Sequence, residues 1–128
     1  MKPDTHLAIS PTWVGTPVDL SQGRAVAQLI TCKEMCADDK GLIHGGFAFG
    51  LGDYAAMLAV NDPNVVLGAA ETKFLAPVRC GEVMVATAEV LIEQGKKREV
   101  ECRITVEDRV VFEGRFTCFV LPQHILSS

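Results

Sequence analysis

Residues 38–60 constrain this chain more than any other stretch. They read Asp-Asp-Lys-Gly-Leu-Ile-His-Gly-Gly-Phe-Ala-Phe-Gly-Leu-Gly-Asp-Tyr-Ala-Ala-Met-Leu-Ala-Val. A polar turn passes through His44-Gly45-Gly46 into about fourteen residues that are apolar or small on every side, and a helix apolar all round is a buried helix. Only Asp53 interrupts it. An ionisable group in such a place is costly unless something compensates it, so Asp53 marks either a working site or a buried cap on another backbone segment.

The surrounding sequence sets the frame for that helix. The stretch Asn61-Asp62-Pro63-Asn64 stops it, because proline cannot continue the hydrogen-bond ladder. Beyond the stop the period changes from helical to strand-like. Lys97–Glu107 is the clearest strand, with Val100, Cys102, Ile104 and Val106 alternating against Glu99, Glu101, Arg103 and Thr105; such alternation puts one face in the core and one in water. Further strands are expected over Arg24–Lys33, Val65–Leu75, Glu82–Glu93 and Val110–Leu121. Residues 1–23, punctuated by Pro3, Pro11, Gly15, Pro17 and Gly23, read as an irregular lead-in with one short helix or strand, Trp13 and Val14 tucking against the core.

The last four strands follow one another through short turns, which implies antiparallel neighbours. The expected architecture is a single α+β domain over residues 1–128, with its core at about 24–121. One long buried helix lies against a curved antiparallel sheet of about five strands.

Composition narrows the function classes. The 128 residues are 48% hydrophobic and 22% charged, as in an ordinary globular domain. A net charge of −4, with no basic run longer than Lys96-Lys97-Arg98, argues against nucleic acid. No window approaches a membrane span, and the N-terminus lacks the pattern of a signal peptide, so a cytoplasmic location and no membrane partner are expected. Five scattered cysteines, Cys32, Cys36, Cys80, Cys102 and Cys118, fit a reducing compartment. Cys32 and Cys36 lack the second ligand pair a zinc site needs, and no metal is expected.

His44-Gly45-Gly46 at a helix start has a chemical reading and a packing one. A helix N-terminus offers free N–H groups and a positive dipole end, and glycine lets a ligand approach the backbone. Equally, glycine pairs serve tight packing. The neighbours of Asp53 three and four residues away are Phe49, Gly50, Ala56 and Met57, none of which offers a charge or a hydrogen bond. Gly50 and Gly52 suggest close approach by a ligand or a second helix. Gly45 and Asp53 are eight residues apart, about 12 Å along one helix at 1.5 Å per residue. Both cannot touch one carbonyl, so a shared substrate requires two chains. His44 either orients a substrate or helps to polarise its carbonyl, or it caps the turn before the helix.

The ordered motifs resemble a known family. His44-Gly45-Gly46, six residues, then Asp53 with its alanines is similar to the signature of PaaI-like acyl-CoA thioesterases of the hotdog fold. Phe74-Leu75-Ala76-Pro77-Val78-Arg79-Cys80-Gly81-Glu82 resembles that family's strand-turn-strand motif, and Gly95-Lys96-Lys97 its next turn. The resemblance covers roughly residues 20 to 120. It implies thioester hydrolysis in homodimers, commonly paired into tetramers, with sites at the dimer interface. The acidic residue matching Asp53 would be nucleophile or general base, and the Gly45 N–H would polarise the carbonyl.

Asp38 stands where many members carry asparagine, and Leu67 where some carry serine or threonine. The candidate catalytic residues are Asp53, Gly45 and His44, with Gly46, Asp38, Phe74, Arg79 and Lys97 as substrate-binding candidates. Lys73, Arg79 and Lys96 to Arg98 either meet the phosphates of coenzyme A or are plain surface. No cofactor beyond the coenzyme A thioester itself is expected. The alternative is a non-catalytic acyl-CoA binding or sensing module, against which stands the absence of appended DNA-binding helices in this sequence. A hydratase would need a differently spaced histidine–acid motif that is not found.

Overall fold

The computed structural model describes residues 1–127. Its long helix, α2 (Gly45–Val60), follows a four-residue helix α1 (Pro11–Val14) and two strands, β1 (Thr16–Ser21) and β2 (Arg24–Ile30). Then come β3 (Val65–Phe74), β4 (Val83–Gln94), β5 (Lys97–Val106) and β6 (Arg109–Val120). All pairings are antiparallel, in the order β1-β2-β4-β5-β6-β3. This is the hotdog arrangement of one helix against a curved sheet, with six strands instead of about five.

The additional strand is β1, within the lead-in, where one short helix or strand was expected and both α1 and β1 form. Its residues are exposed on both faces except for half-buried Leu20, so no hydrophobic alternation announces it. Gly15, with φ 99°, makes the tight passage from α1 into β1; a Cβ there would lie 2.5 Å from the Gln28 carbonyl oxygen. Trp13 stays 43% exposed, while Val14 packs against the core. A second correction concerns connectivity. β3 pairs with β6 and not with its successor β4, so residues 75–82 cross over instead of forming a hairpin.

The inward residues of β2, β4, β5 and β6 form the floor under the helix: Ala25, Ala27 and Leu29; Met84, Ala86 and Ala88; Val100, Cys102 and Ile104; Phe112 and Phe116, all essentially inaccessible. Small residues recur on both sides of the interface. Ala55, Ala56 and Ala59 of α2 are fully buried, and the helix backbone can therefore settle close to the sheet. The helix ends at Asn61, whose left-handed conformation (φ 53°) turns its N–H to the Met57 carbonyl at 2.8 Å. Pro63 follows, as the sequence predicts. Asn61 also pins the lead-in: its Oδ1 accepts the Asp4 N–H at 2.7 Å and its Nδ2 donates to the Lys2 carbonyl at 3.0 Å. Among the described residues no helix is long and apolar enough to cross a membrane.

Candidate functional site

The start of α2 is held from two sides. The His44 N–H donates to the Met35 carbonyl at 2.9 Å and the Ile43 N–H to the Val78 carbonyl at 2.9 Å. These bonds fix the segment 36–43 between the turn near residue 35 and the crossover 75–82. His44 occupies the N-cap position in extended conformation, and its carbonyl accepts the Phe47 N–H at 3.1 Å. Its ring makes no capping hydrogen bond. Instead it lies over Gly46, where a Cβ would come within 2.9 Å of the imidazole, and meets Phe47 edge-on at 6.1 Å. Gly45 and Gly46 have no backbone partner for their N–H groups among the described residues, which is the usual condition of a first helical turn. The geometry thus leaves two N–H donors at a positive dipole end.

Phe74 covers Gly45 from the other side. A Cβ on Gly45 would meet the Phe74 ring at 3.2 Å, and that ring stands edge-on to Phe112 at 5.2 Å. Ile43, His44, Gly45, Phe74, Ala76 and Val111 together border a mainly apolar cavity of about 350 Å³. Of the residues singled out in the sequence, His44, Gly45 and Phe74 therefore converge on one space. Ile43 and Val111 were not among them. They come from separate segments joined only by the tertiary fold, and no local motif signals them.

Asp53 lies two turns farther along α2. Among the described residues its Oδ1 is buried without a hydrogen-bond partner, and burial pushes its carboxyl from 3.8 up to about 6. A buried polar atom without a partner is uncommon, and a carboxylate raised by desolvation is the state wanted of a base working near neutrality. Cys118 shares its surroundings: burial first, then the charges of Asp53 and Glu99, raise that thiol to about 12, leaving it protonated and inert. The fourth-preceding residue, Phe49, packs on Phe116 with ring centroids 5.7 Å apart.

The remaining candidates lie elsewhere. Asp38 Oδ1 accepts the N–H groups of Lys40 at 2.9 Å and Leu42 at 3.2 Å; it shapes its own exposed loop and does not line the cavity. Arg79 is exposed in the crossover, bridged to Leu42, one residue past the cavity-lining Val78. Lys97 stands on β5 with Nζ 3.5 Å from Glu99, and Arg98 pairs with Glu93 at 2.8 Å. Neither borders the cavity. All five cysteines are free thiols. Among the described residues no three His, Cys, Asp or Glu side chains come together as a metal-binding group.

Comparison with known proteins places these features in a family. Residues 40–113 match the family described as the thioesterase superfamily. The chain is 48% identical over 118 residues to methylthioribose-1-phosphate isomerase of Aquifex aeolicus, a match spanning 91% of the chain but 26% of that protein. It is 28% identical over 114 residues to transcription factor FapR of Caldanaerobacter subterraneus, spanning 88% of the chain and 57% of that protein. The chain thus covers about a quarter of the first relative and little over half of the second.

Among solved structures, the protein PH1136 of Pyrococcus horikoshii is 49% identical with a TM-score of 0.98, covering 99% of this chain and 98% of that one. Two more distant structures share the fold. The Escherichia coli PaaI protein has 23% identity and a TM-score of 0.77, with 84% and 80% of the two chains covered. A hypothetical thioesterase from Streptococcus pneumoniae, solved with coenzyme A, has 21% identity and a TM-score of 0.76, with 84% and 86% covered.

Proposed function

The chain belongs to the thioesterase superfamily, and from that membership we propose that it hydrolyses acyl-coenzyme A thioesters at a site shared by two copies. The observation that carries the reading is the orphaned, buried Asp53 oxygen on a carboxyl raised to about 6. No structural partner explains it. A substrate or an attacking water would.

Thioester hydrolysis needs a nucleophile at the carbonyl carbon and donors where negative charge develops on oxygen. Asp53 of one chain either attacks directly or takes a proton from water. In the second route, water's oxygen bonds to the carbonyl carbon and its proton passes to the carboxylate. The carbon–sulfur bond then breaks, and the same proton goes to the departing coenzyme A sulfur. The Gly45 N–H of the other chain, seconded by Gly46, receives the carbonyl oxygen, and His44 orients the thioester. Phe74 and the cavity beneath it take the apolar part of the substrate. Arg79, next in sequence to the cavity-lining Val78, is the basic residue assigned to a phosphate. Lys97, already paired with Glu99, has the weaker claim. The reading also comprises a homodimer as the working unit, pairs of dimers as the larger assembly, and the cytoplasm as its location.

A second reading has its own support. Relatives matching 88% of the chain carry the name of a transcription factor, and a scaffold of this kind could bind acyl-coenzyme A without cleaving it. Steady-state hydrolysis of short-chain, long-chain and aromatic acyl-CoAs separates the two. The enzyme reading expects turnover of at least one class and a loss of about 10²–10⁴-fold in Asp53→Asn, the range for removing a general base. Tight binding of every class with no hydrolysis by the unaltered protein would establish the sensing reading instead.

A further inference from the structure

The five cysteines are of two kinds. Cys102 and Cys118, on β5 and β6, are buried in the core and raised to about 12, chiefly by that burial, which keeps them protonated and inert. The other three lie toward the surface: Cys80 is exposed, and Cys32 and Cys36 are partly covered.

The fold brings Cys36 and Cys80, far apart in sequence, to either side of one short segment, residues 41–43. On one side Cys36 pairs with Ile43, and the Ala37 N–H donates to the Leu42 carbonyl at 2.7 Å. On the other side Arg79 pairs with Leu42, and the Cys80 N–H donates to the Gly41 carbonyl at 2.8 Å. Gly41, in the middle segment, has no side chain; a Cβ there would lie 3.7 Å from the Cys80 Cβ. Across this segment the Cys36 and Cys80 thiols are in hydrogen-bonding contact. Burial, that hydrogen bond and the charges of Cys80, Asp38 and Cys32 hold the Cys36 thiol above its ordinary range. Among the described residues these groups do not come together as a metal site, so the contact is that of a pair.

We propose that Cys36 and Cys80 are a reversible redox pair, and that their oxidation to a disulfide fastens the segment leading to His44 onto the crossover 75–82. Both segments contribute to the cavity wall, through Ile43 and Val78, which are joined by the Ile43 N–H on the Val78 carbonyl. A covalent link beside that bond removes the freedom of the wall to part there. The link closes a ring of chain that contains all of α2 and β3. Residues 37–40 are exposed, so the approach of the sulfurs to a bond length of about 2.05 Å meets no packed core. Where thiols are otherwise kept reduced, such a pair is transient and serves sensing.

The oxidant is a small disulfide, such as oxidised glutathione. The exposed Cys80, as thiolate, attacks one of its sulfurs, forming a mixed disulfide and releasing one glutathione thiol. Cys36 then gives up its proton and attacks the Cys80 sulfur, and the second glutathione leaves as thiol. Two protein thiols are oxidised, one small disulfide is reduced to two thiols, and the two protons leave on the departing sulfurs. This chemistry is independent of what the cavity binds.

The test therefore uses no acyl-CoA. Fully reduced protein is incubated with oxidised glutathione, and the remaining thiols are counted with a chromogenic thiol reagent after unfolding. The expected result is the loss of two of the five thiols, a peptide joining Cys36 to Cys80 in the mass spectrum of a non-reducing digest, and full recovery with dithiothreitol. In Cys36→Ser the reaction should stop with one glutathione on Cys80; in Cys32→Ser it should run as in the wild type. Circular dichroism checks that each variant is folded. Hydrogen exchange reads the fastening: in the bridged form the amides of Ile43 and Cys80 should exchange at least about tenfold more slowly than in the reduced form, with those of β5 unchanged. Glutathione left on Cys80 of the wild type, a bridge from Cys32 to Cys36, or no loss of thiols would overturn the proposal. So would a bridge that leaves exchange at Ile43 and Cys80 as it is in the reduced protein.

Discussion

The two halves of α2 obey different rules. From Ala55 to Ala59 the helix is alanine, methionine and leucine packed out of reach of water, and its small side chains let sheet and helix close together. Before Tyr54 the helix has glycine at 45, 46, 50 and 52, a carboxylate, and a partly open surface. Gly52 still belongs with the packing half in purpose: a Cβ there would press on Phe112 at 3.1 Å. The other three glycines face space or movable rings. Since each glycine inside a helix costs up to about 1 kcal/mol relative to alanine, the first half gives up stability that the second half recovers. A helix can thus carry a site on one half because the other is an anchor.

That division can be broken from the anchored side first. Leu58 is fully buried, and Leu58→Ala should lower stability by about 2–5 kcal/mol through lost burial and a residual cavity. Urea unfolding measures it. In the fraction that remains folded, KM for a cleaved acyl-CoA should stay within a factor of two, because the anchor touches no substrate. A large KM change with little loss of stability would mean that the halves are not separate in function.

Asp53→Asn tests the open half in the opposite sense. Burial raises the folded pKa from 3.8 to about 6, so the folded state binds the proton more tightly than the unfolded chain does. Stability from this group is fully present below about pH 4 and falls as pH rises to about 6; above that, the ionised carboxylate is a constant cost. Two pH units correspond to about 3 kcal/mol, trimmed to about 1–2 by the water that reaches a half-buried residue. Asparagine carries no such charge. Asp53→Asn should accordingly be more stable than the wild type by about 1–2 kcal/mol at pH 8 and indistinguishable from it at pH 3.5, while activity is lost. Equal stability at both pH values would show that Asp53 is better solvated than its orphaned oxygen implies.

Some of this was legible in the sequence because it is written in local chemistry. The alternation at Val100, Cys102, Ile104 and Val106 gives β5, and Asn61–Pro63 gives the end of α2. The conflict between Asp53 and its apolar neighbours points to the residue that the structure leaves without a partner. By the same alternation Lys97, three residues before the inward Val100, faces away from the core, and only the motif resemblance connects it with a substrate. β1 was hidden because an edge strand with both faces in water has no reason to alternate. The pairing of β3 with β6 was hidden because it depends on where residues 75–82 cross, and proximity in sequence favours β4. The cavity wall from Ile43 and Val111 could not be read locally, since each is an ordinary apolar residue until the fold brings them to Phe74.

The finest cut between the halves is at Gly50. An alanine methyl there has room in the isolated chain, with Val14 at ordinary contact distance. Helix propensity alone should make Gly50→Ala more stable by up to about 1 kcal/mol. If the partly open face of α2 receives a second helix, however, the added methyl falls where that helix comes closest. Gly50→Ala would then gain in the unfolding of the isolated chain at high dilution and lose in dimer affinity, so that its apparent stability relative to wild type falls with rising protein concentration. Denaturation midpoints taken over a hundredfold range of concentration read both terms at once. A gain independent of concentration would mean that nothing packs against Gly50, and that its glycine serves the approach of a substrate and not that of a second chain.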